Sequence, residues 1–88
     1  IGNPYPNPFN GIIQFSLYMM KESPVSINVI DLSGKQISRI HNGNLSIGNH
    51  NFSWQGKNAS GRSVSSGVYY IKVSGKSTEE WRPITFVK

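Results

Sequence analysis

The run Gly67-Val68-Tyr69-Tyr70-Ile71-Lys72-Val73 decides the fold class. Four strong β-formers stand in succession from Val68 to Ile71, and Val73 follows Lys72. In an extended chain Tyr69, Ile71 and Val73 share one face, opposite Val68, Tyr70 and Lys72. The first face is assigned to the core.

The same period of two spreads outward from this run. His50, Phe52 and Trp54 alternate with Asn49, Asn51 and Ser53. Ile13, Phe15 and Leu17 alternate with Gln14, Ser16 and Tyr18, and Val25, Ile27 and Val29 with Ser26, Asn28 and Ile30. Pro24 is expected to end the turn before this last strand. Asp31-Leu32-Ser33-Gly34 reads as a turn, with Gly34 free to take positive φ and Asp31 able to bond a nearby backbone amide. A strand from Gln36 to His41 completes a hairpin, and Asn42-Gly43-Asn44 reads as a further turn. Residues 56–67 are small and polar, a surface loop. Gly75-Lys76-Ser77 turns the chain into a last strand from Trp81 to Val87, which Pro83 marks as an edge or bulged strand. No stretch sustains a 3.6-residue period, so no helix longer than a turn is expected.

The first ten residues contain Asn3-Pro4-Tyr5-Pro6-Asn7-Pro8-Phe9-Asn10. Proline supplies no backbone donor, so residues 1–10 can form only an edge strand or an extended lead-in. About seven short strands in one all-β domain spanning 1–88 fit an antiparallel β-sandwich of the immunoglobulin type. A small closed barrel is the alternative. With no Cys there is no intersheet disulfide, and Trp54 is the natural central plug.

Composition bounds the function. Hydrophobic residues at 36% and aromatics at 11% argue against disorder. No apolar run reaches the roughly 20 residues that span a bilayer, so no membrane insertion is expected. The chain begins with Ile1 rather than Met, which reads as a fragment of a longer protein. Catalysis is not expected: Glu22 and Asp31 fall in turns, and Glu79-Glu80 point to opposite faces of an extended chain. His41 and His50 have no acidic neighbour in sequence, so neither a metal site nor a cofactor is expected. The net charge of +5 comes from scattered bases, with no basic cluster interleaved with aromatics, so nucleic acid is not the expected partner. Sugar stacking remains open on Tyr70 and Trp81, with Tyr5 and Tyr18 as further outward aromatics. The sequons at Asn44, Asn51 and Asn58 need no more than the Asn- and Ser-rich composition. A proline towards each end of the chain argues against open-ended strand pairing and for a monomer.

Five motifs in order resemble the C-terminal sorting domains, type A, of the bacterial type IX (Por) secretion system. The proline-rich opening leads into Ile13-Gln14-Phe15-Ser16-Leu17. Asp31-Leu32-Ser33-Gly34-Lys35-Gln36-Ile37 is similar to the family's D-x-x-G-x-x-[VI] hairpin, and 48–56 to its G-x-H-x-x-x-W-x-G strand. Residues 60–70 are similar to S-G-x-x-V-x-S-G-V-Y, and Phe86-Val87-Lys88 resembles the hydrophobic-basic terminus. Gly11 and Gln55 stand where Pro and Asp are common. The Ig-like domain of flagellar hook-capping proteins shares much of the pattern.

The resemblance implies a non-catalytic sorting signal for a secreted bacterial protein, with a polysaccharide-degrading hydrolase as one candidate cargo upstream. Its partner would be the type IX machinery at the outer membrane, reached through the periplasm, with the product secreted or held at the cell surface. Pro6, Asn7 and Pro8, Gly67, Val68 and Tyr69 at the start of their strand, and terminal Val87 and Lys88 are the expected partner-recognition residues. Two alternatives from other classes are a carbohydrate-binding accessory module and a passive Ig-like spacer.

Overall fold

Alternation in the sequence becomes two faces per strand in the computed structural model, which describes residues 1–88. Its strands are β1 (Ile13–Met19), β2 (Ser23–Ile30), β3 (Gln36–Leu45), β4 (Gly48–Trp54), β5 (Gly67–Ser74) and β6 (Glu79–Phe86). β1 pairs with β4 in one sheet, and the second sheet has the order β3-β2-β5-β6, with every ladder antiparallel. The result is an all-β, Ig-like sandwich.

The inward faces are the ones alternation selects. Ile13, Phe15 and Leu17 meet Val25, Ile27 and Val29, with Tyr69, Ile71, Val73, Ile84 and Phe86 completing the layer. Each such side chain contributes about 1.5–3 kcal/mol when fully buried. Trp54 is 3% exposed and touches rings from three other segments, Phe9, Tyr69 and Phe86. It occupies the central place expected of it.

Six strands replace the expected seven. Asn42-Gly43-Asn44, read as a turn, stays extended in β3 opposite Ser26, Val25 and Pro24. Two local bonds hold it there: the Ser26 hydroxyl with Asn42 Oδ1 at 3.1 Å, and His41 Nε2 with the Gly43 carbonyl at 3.1 Å. Running on also carries Leu45 into the core, and the chain reverses at Ser46–Ile47 instead. Burial of Leu45 outweighs the turn chemistry of Asn-Gly-Asn. Pro24 likewise does not end a turn but lies inside β2. It sits beyond the β2–β5 ladder, which begins at Ser26, where β2 has one neighbour only. The last strand starts two residues early, at Glu79, and Pro83 lies on the sheet edge as its chemistry requires.

Two loops use one device. In Asp31-Leu32-Ser33-Gly34-Lys35 the Asp31 Oδ1 accepts from the Ser33 and Lys35 backbone N–H groups, both at 2.9 Å. In Asn58-Ala59-Ser60-Gly61-Arg62 the Asn58 Oδ1 accepts from the Ser60 and Arg62 N–H groups, both at 3.0 Å. The glycine in each turn has φ near +85° (89° and 82°), a conformation that other residues adopt only with strain. The second turn is then tied to β3 by the Ala59 N–H, which donates to the Ile37 carbonyl at 3.1 Å.

Candidate functional site

The proline-rich opening is more than a lead-in. Tyr5 exchanges two backbone bonds with Gln14 at the edge of β1, at 2.9 and 2.7 Å. Four residues later, Phe9 pairs in parallel with Phe86 of β6: its N–H donates to Thr85, and its carbonyl accepts from Val87. Asn7 bonds the same strand through its side chain. Its Oδ1 accepts from the Thr85 N–H at 2.9 Å and its Nδ2 donates to the Pro83 carbonyl at 3.2 Å. One segment thereby joins the edges of both sheets. The Tyr5-Pro6 and Asn7-Pro8 peptide bonds are cis.

This seam draws the separate candidate residues together. Gly67 and Val68 pair with Phe86 and Thr85, while the Lys88 N–H donates to Ser66 Oγ at 2.9 Å. Pro6, Asn7, Pro8, Val68, Val87 and Lys88 all face solvent. Pro6, Pro8 and Val87 line one shallow groove beside Gly11 and Ile12. Tyr69 is placed differently: its ring is 8% exposed and lies edge-on to Trp54 at 5.6 Å. Its hydroxyl donates to the Ser65 carbonyl at 2.7 Å. Burial, and next the charge of Asp31, pushes this phenol above its ordinary range.

Two residues that hold the seam escaped the sequence reading. Phe9 is 3% exposed, its ring 5.1 Å from Phe86 and 5.8 Å from Trp54. The available signal was a lone aromatic flanked by residues too stiff or polar to bury. Gly56 has φ +72°, and a Cβ there would stand 2.7 Å from Phe86 Cε1. Its signal was the short Trp54-Gln55-Gly56 spacing, which brings the chain back under its own tryptophan. The Trp54 indole N–H is satisfied by the Lys57 carbonyl at 2.9 Å just beyond that bend.

Tyr70 and Trp81 meet on the outer face of the four-stranded sheet, ring centroids 5.9 Å apart and nearly perpendicular. Trp81 is 43% exposed, but Lys72 Nζ lies 5.1 Å from its ring centroid and is held by Glu79 at 3.1 Å. One aromatic face therefore carries a cation already. His41 and His50 bond the carbonyls of Gly43 and Ser46, and no three His, Cys, Asp or Glu side chains gather in one place. Asp31 sits below the usual carboxylate range because the Ser33 hydroxyl and then the Lys35 N–H bond its charged form.

With the geometry in hand, the chain can be set beside known proteins. No curated protein matches it. A solved structure of PorZ, an essential bacterial surface component of the type-IX secretion system of Porphyromonas gingivalis, superposes with a TM-score of 0.67. The sequences are 19% identical over 97% of this chain, which spans 11% of the PorZ chain. At that identity the likeness speaks for the fold alone. The family model of the FlgD Ig-like domain matches residues 7–79, from the Asn7 clamp to the first residue of β6. The chain belongs to the FlgD Ig-like domain family.

Proposed function

We propose that this Ig-like domain serves as a sorting module of the type IX secretion system, directing a protein joined to it across the outer membrane of a bacterium. One observation carries the reading. Three segments far apart in sequence, and each part of the sorting-domain resemblance, meet on one seam with exposed side chains. Those are Pro6-Asn7-Pro8, the start of β5 at Gly67-Val68, and Val87-Lys88. Recognition there is docking, with no chemistry in this domain. The shared fold with a surface component of that system is consistent with the setting. The partner is the secretion machinery, and the destination is the medium or the cell surface. Tyr69 acts by shaping the seam, since its ring lies inside.

The test is a secreted reporter fused to the domain in a host that has this system. Phe86 packs against Phe9 and Trp54, so its removal would destabilise the domain and confound the result. Deleting only Val87 and Lys88 is the cleaner cut. Retention of a folded reporter in the cell supports the terminal signal; undiminished secretion overturns it.

A second reading rests on the exposure of Trp81 beside Tyr70. A sugar-binding accessory module would be retained on insoluble polysaccharide, and Trp81→Ala would abolish retention. A domain that shows neither secretion nor retention is a passive spacer.

A further inference from the structure

The sandwich has an edge that nothing covers. The backbone groups of Gln14 bond Tyr5, and the Ser16 carbonyl accepts from Gly2 at 3.2 Å, so these residues of β1 point away from β4. By the alternation of an antiparallel ladder, Ile13, Phe15, Leu17 and Met19 then bond Trp54, Phe52, His50 and Gly48. The N–H and C=O groups of Asn49, Asn51 and Ser53 are left pointing out of the sheet. Every other edge carries a guard. β1 is covered by residues 2–5, and β6 by Asn7, Phe9 and its own Pro83. β3 is covered at Ile37 by Ala59 and at Gly43 by the His41 ring. β4 has no proline, charge or covering loop between Gly48 and Trp54. The unpaired groups of such an edge are a ready template for another strand, and natural sheets usually guard against it.

The surroundings select what would fit. No Asp or Glu occurs from Leu32 to Thr78, whereas Lys35, Arg39, Lys57 and Arg62 all lie on β3 or on the twin turns beside it. The Asn58 turn is bonded to β3 at Ile37, and Lys57 is bonded to Trp54 at the end of β4. Four bases thus stand on this margin against two acids, Asp31 in the first turn and Glu22 beside Asn44 of β3, so the margin is basic on balance. Phe52, Ile37 and Ile40 are half-buried at this margin of the core, so a strand laid along β4 would cover apolar surface on its inner side. A second copy brought edge to edge would set the same bases against one another.

We propose that the free edge of β4 binds an extended acidic peptide segment of another protein as an added strand. Backbone bonds to Asn49, Asn51 and Ser53 supply the register, and the basic rim supplies the preference for acidic ends. This surface is distinct from the seam proposed for sorting, and the two stand or fall separately.

The experiment follows backbone amide hydrogen exchange by NMR in the whole chain, with two synthetic peptides as long as β4. One alternates Val and Thr between paired Glu ends; the other has Lys in place of Glu. The Glu peptide is expected to slow exchange at Asn49, Asn51 and Ser53, and to do so less as salt rises from about 0.05 to 0.5 M. The Lys peptide is expected to leave these amides unchanged. Asn51→Pro removes a donor that the fold does not use and should weaken binding about tenfold. Lys57→Glu with Arg62→Glu, on exposed turns, should weaken the Glu peptide several-fold while leaving the spectrum folded. Four outcomes overturn the proposal. They are no protection at these amides, an equal response to both peptides, a double charge reversal without effect, and protection that grows with protein concentration in the absence of peptide.

Discussion

The two flanks of the sandwich are built on opposite rules. On one flank the opening segment crosses from β1 to β6, places Phe9 in the core and uses the Asn7 amide as a piece of ladder. On the other, β4 ends the two-stranded sheet with bare backbone, and half-buried side chains guard the core, among them Phe52, stacked on Phe15 at 5.6 Å. A thin core of this size needs one flank closed tightly. The lesson is that stability is concentrated where the chain returns upon itself, which leaves the opposite flank free for contact.

Aromatic truncation should break the comparison most visibly. Phe86→Ala or Phe9→Ala is expected to cost about 3–5 kcal/mol, and Phe52→Ala on the open flank about 1–2 kcal/mol. At roughly 4–8 °C per kcal/mol for a domain this small, thermal unfolding followed by circular dichroism resolves the two classes easily. Equal losses at Phe86 and Phe52 would mean that the flanks do not differ in stability. Next in size is Gly56→Ala. Its Cβ would strike Phe86 at a backbone angle that already disfavours side chains, for about 2–4 kcal/mol in all. Gly61→Ala, with positive φ but open space around it, isolates the backbone share at about 1–2 kcal/mol.

These residues also mark how far the sequence could be read. Alternation in 13–17, 25–29, 50–54 and 69–73 placed the strands and their inner faces, because a period of two is a local property. It failed at Asn42-Gly43-Asn44, where local turn chemistry lost to burial of Leu45 and a bonded Asn42 side chain. Sheet order is not local at all. The Asn7–Pro83 bond spans 76 positions, and nothing near Asn7 announces it. For the same reason Pro6-Asn7-Pro8, Val68 and Val87-Lys88 could be named singly, while their meeting on one seam could not. The opening prolines and Pro83 correctly identified edges, whereas Pro24 does not end the turn expected of it; those edges are the closed ones, and the open edge has no marker beyond missing guards.

Polar substitutions sharpen the contrast at smaller scale. Asn7→Ala removes an acceptor from Thr85 and a donor to Pro83, and is expected to cost about 1–2 kcal/mol. Asn51→Ala, on the unpaired edge, should stay within about 0.5 kcal/mol of the parent, since its backbone and side chain hold nothing across the sheets. Urea denaturation of the two variants, with equal slopes, checks this. A matching loss at Asn51 would place a hidden structural partner on the open edge.

The smallest effects should separate the flanks by pH. Asp31 opens the turn into β3, and bonds from the Ser33 hydroxyl and the Lys35 N–H, together with the Lys35 charge, lower its pKa despite some burial. A carboxylate with a folded pKa below its unfolded one stabilises above the ordinary carboxylate range and loses that contribution as pH falls through the folded value. Tyr69, on the closed flank, has the opposite sign. Its pKa is raised by burial and by Asp31, so its contribution is complete below pH 10.0 and declines as pH climbs towards the folded value. Asn58 offers the control, since the twin turn makes the same two backbone bonds, without the hydroxyl bond that Ser33 adds to Asp31, through an amide that does not titrate. Asp31→Asn should therefore keep the turn, remove the acid-side loss and slightly relax the phenol. Tyr69→Phe should flatten only the alkaline side. Carbon-detected titration of the Asp31 carboxyl and absorbance titration of the tyrosines follow each group directly. If Asp31 titrates at the ordinary carboxylate value, the turn holds it no better than water does, and the two turns differ in charge without differing in strength.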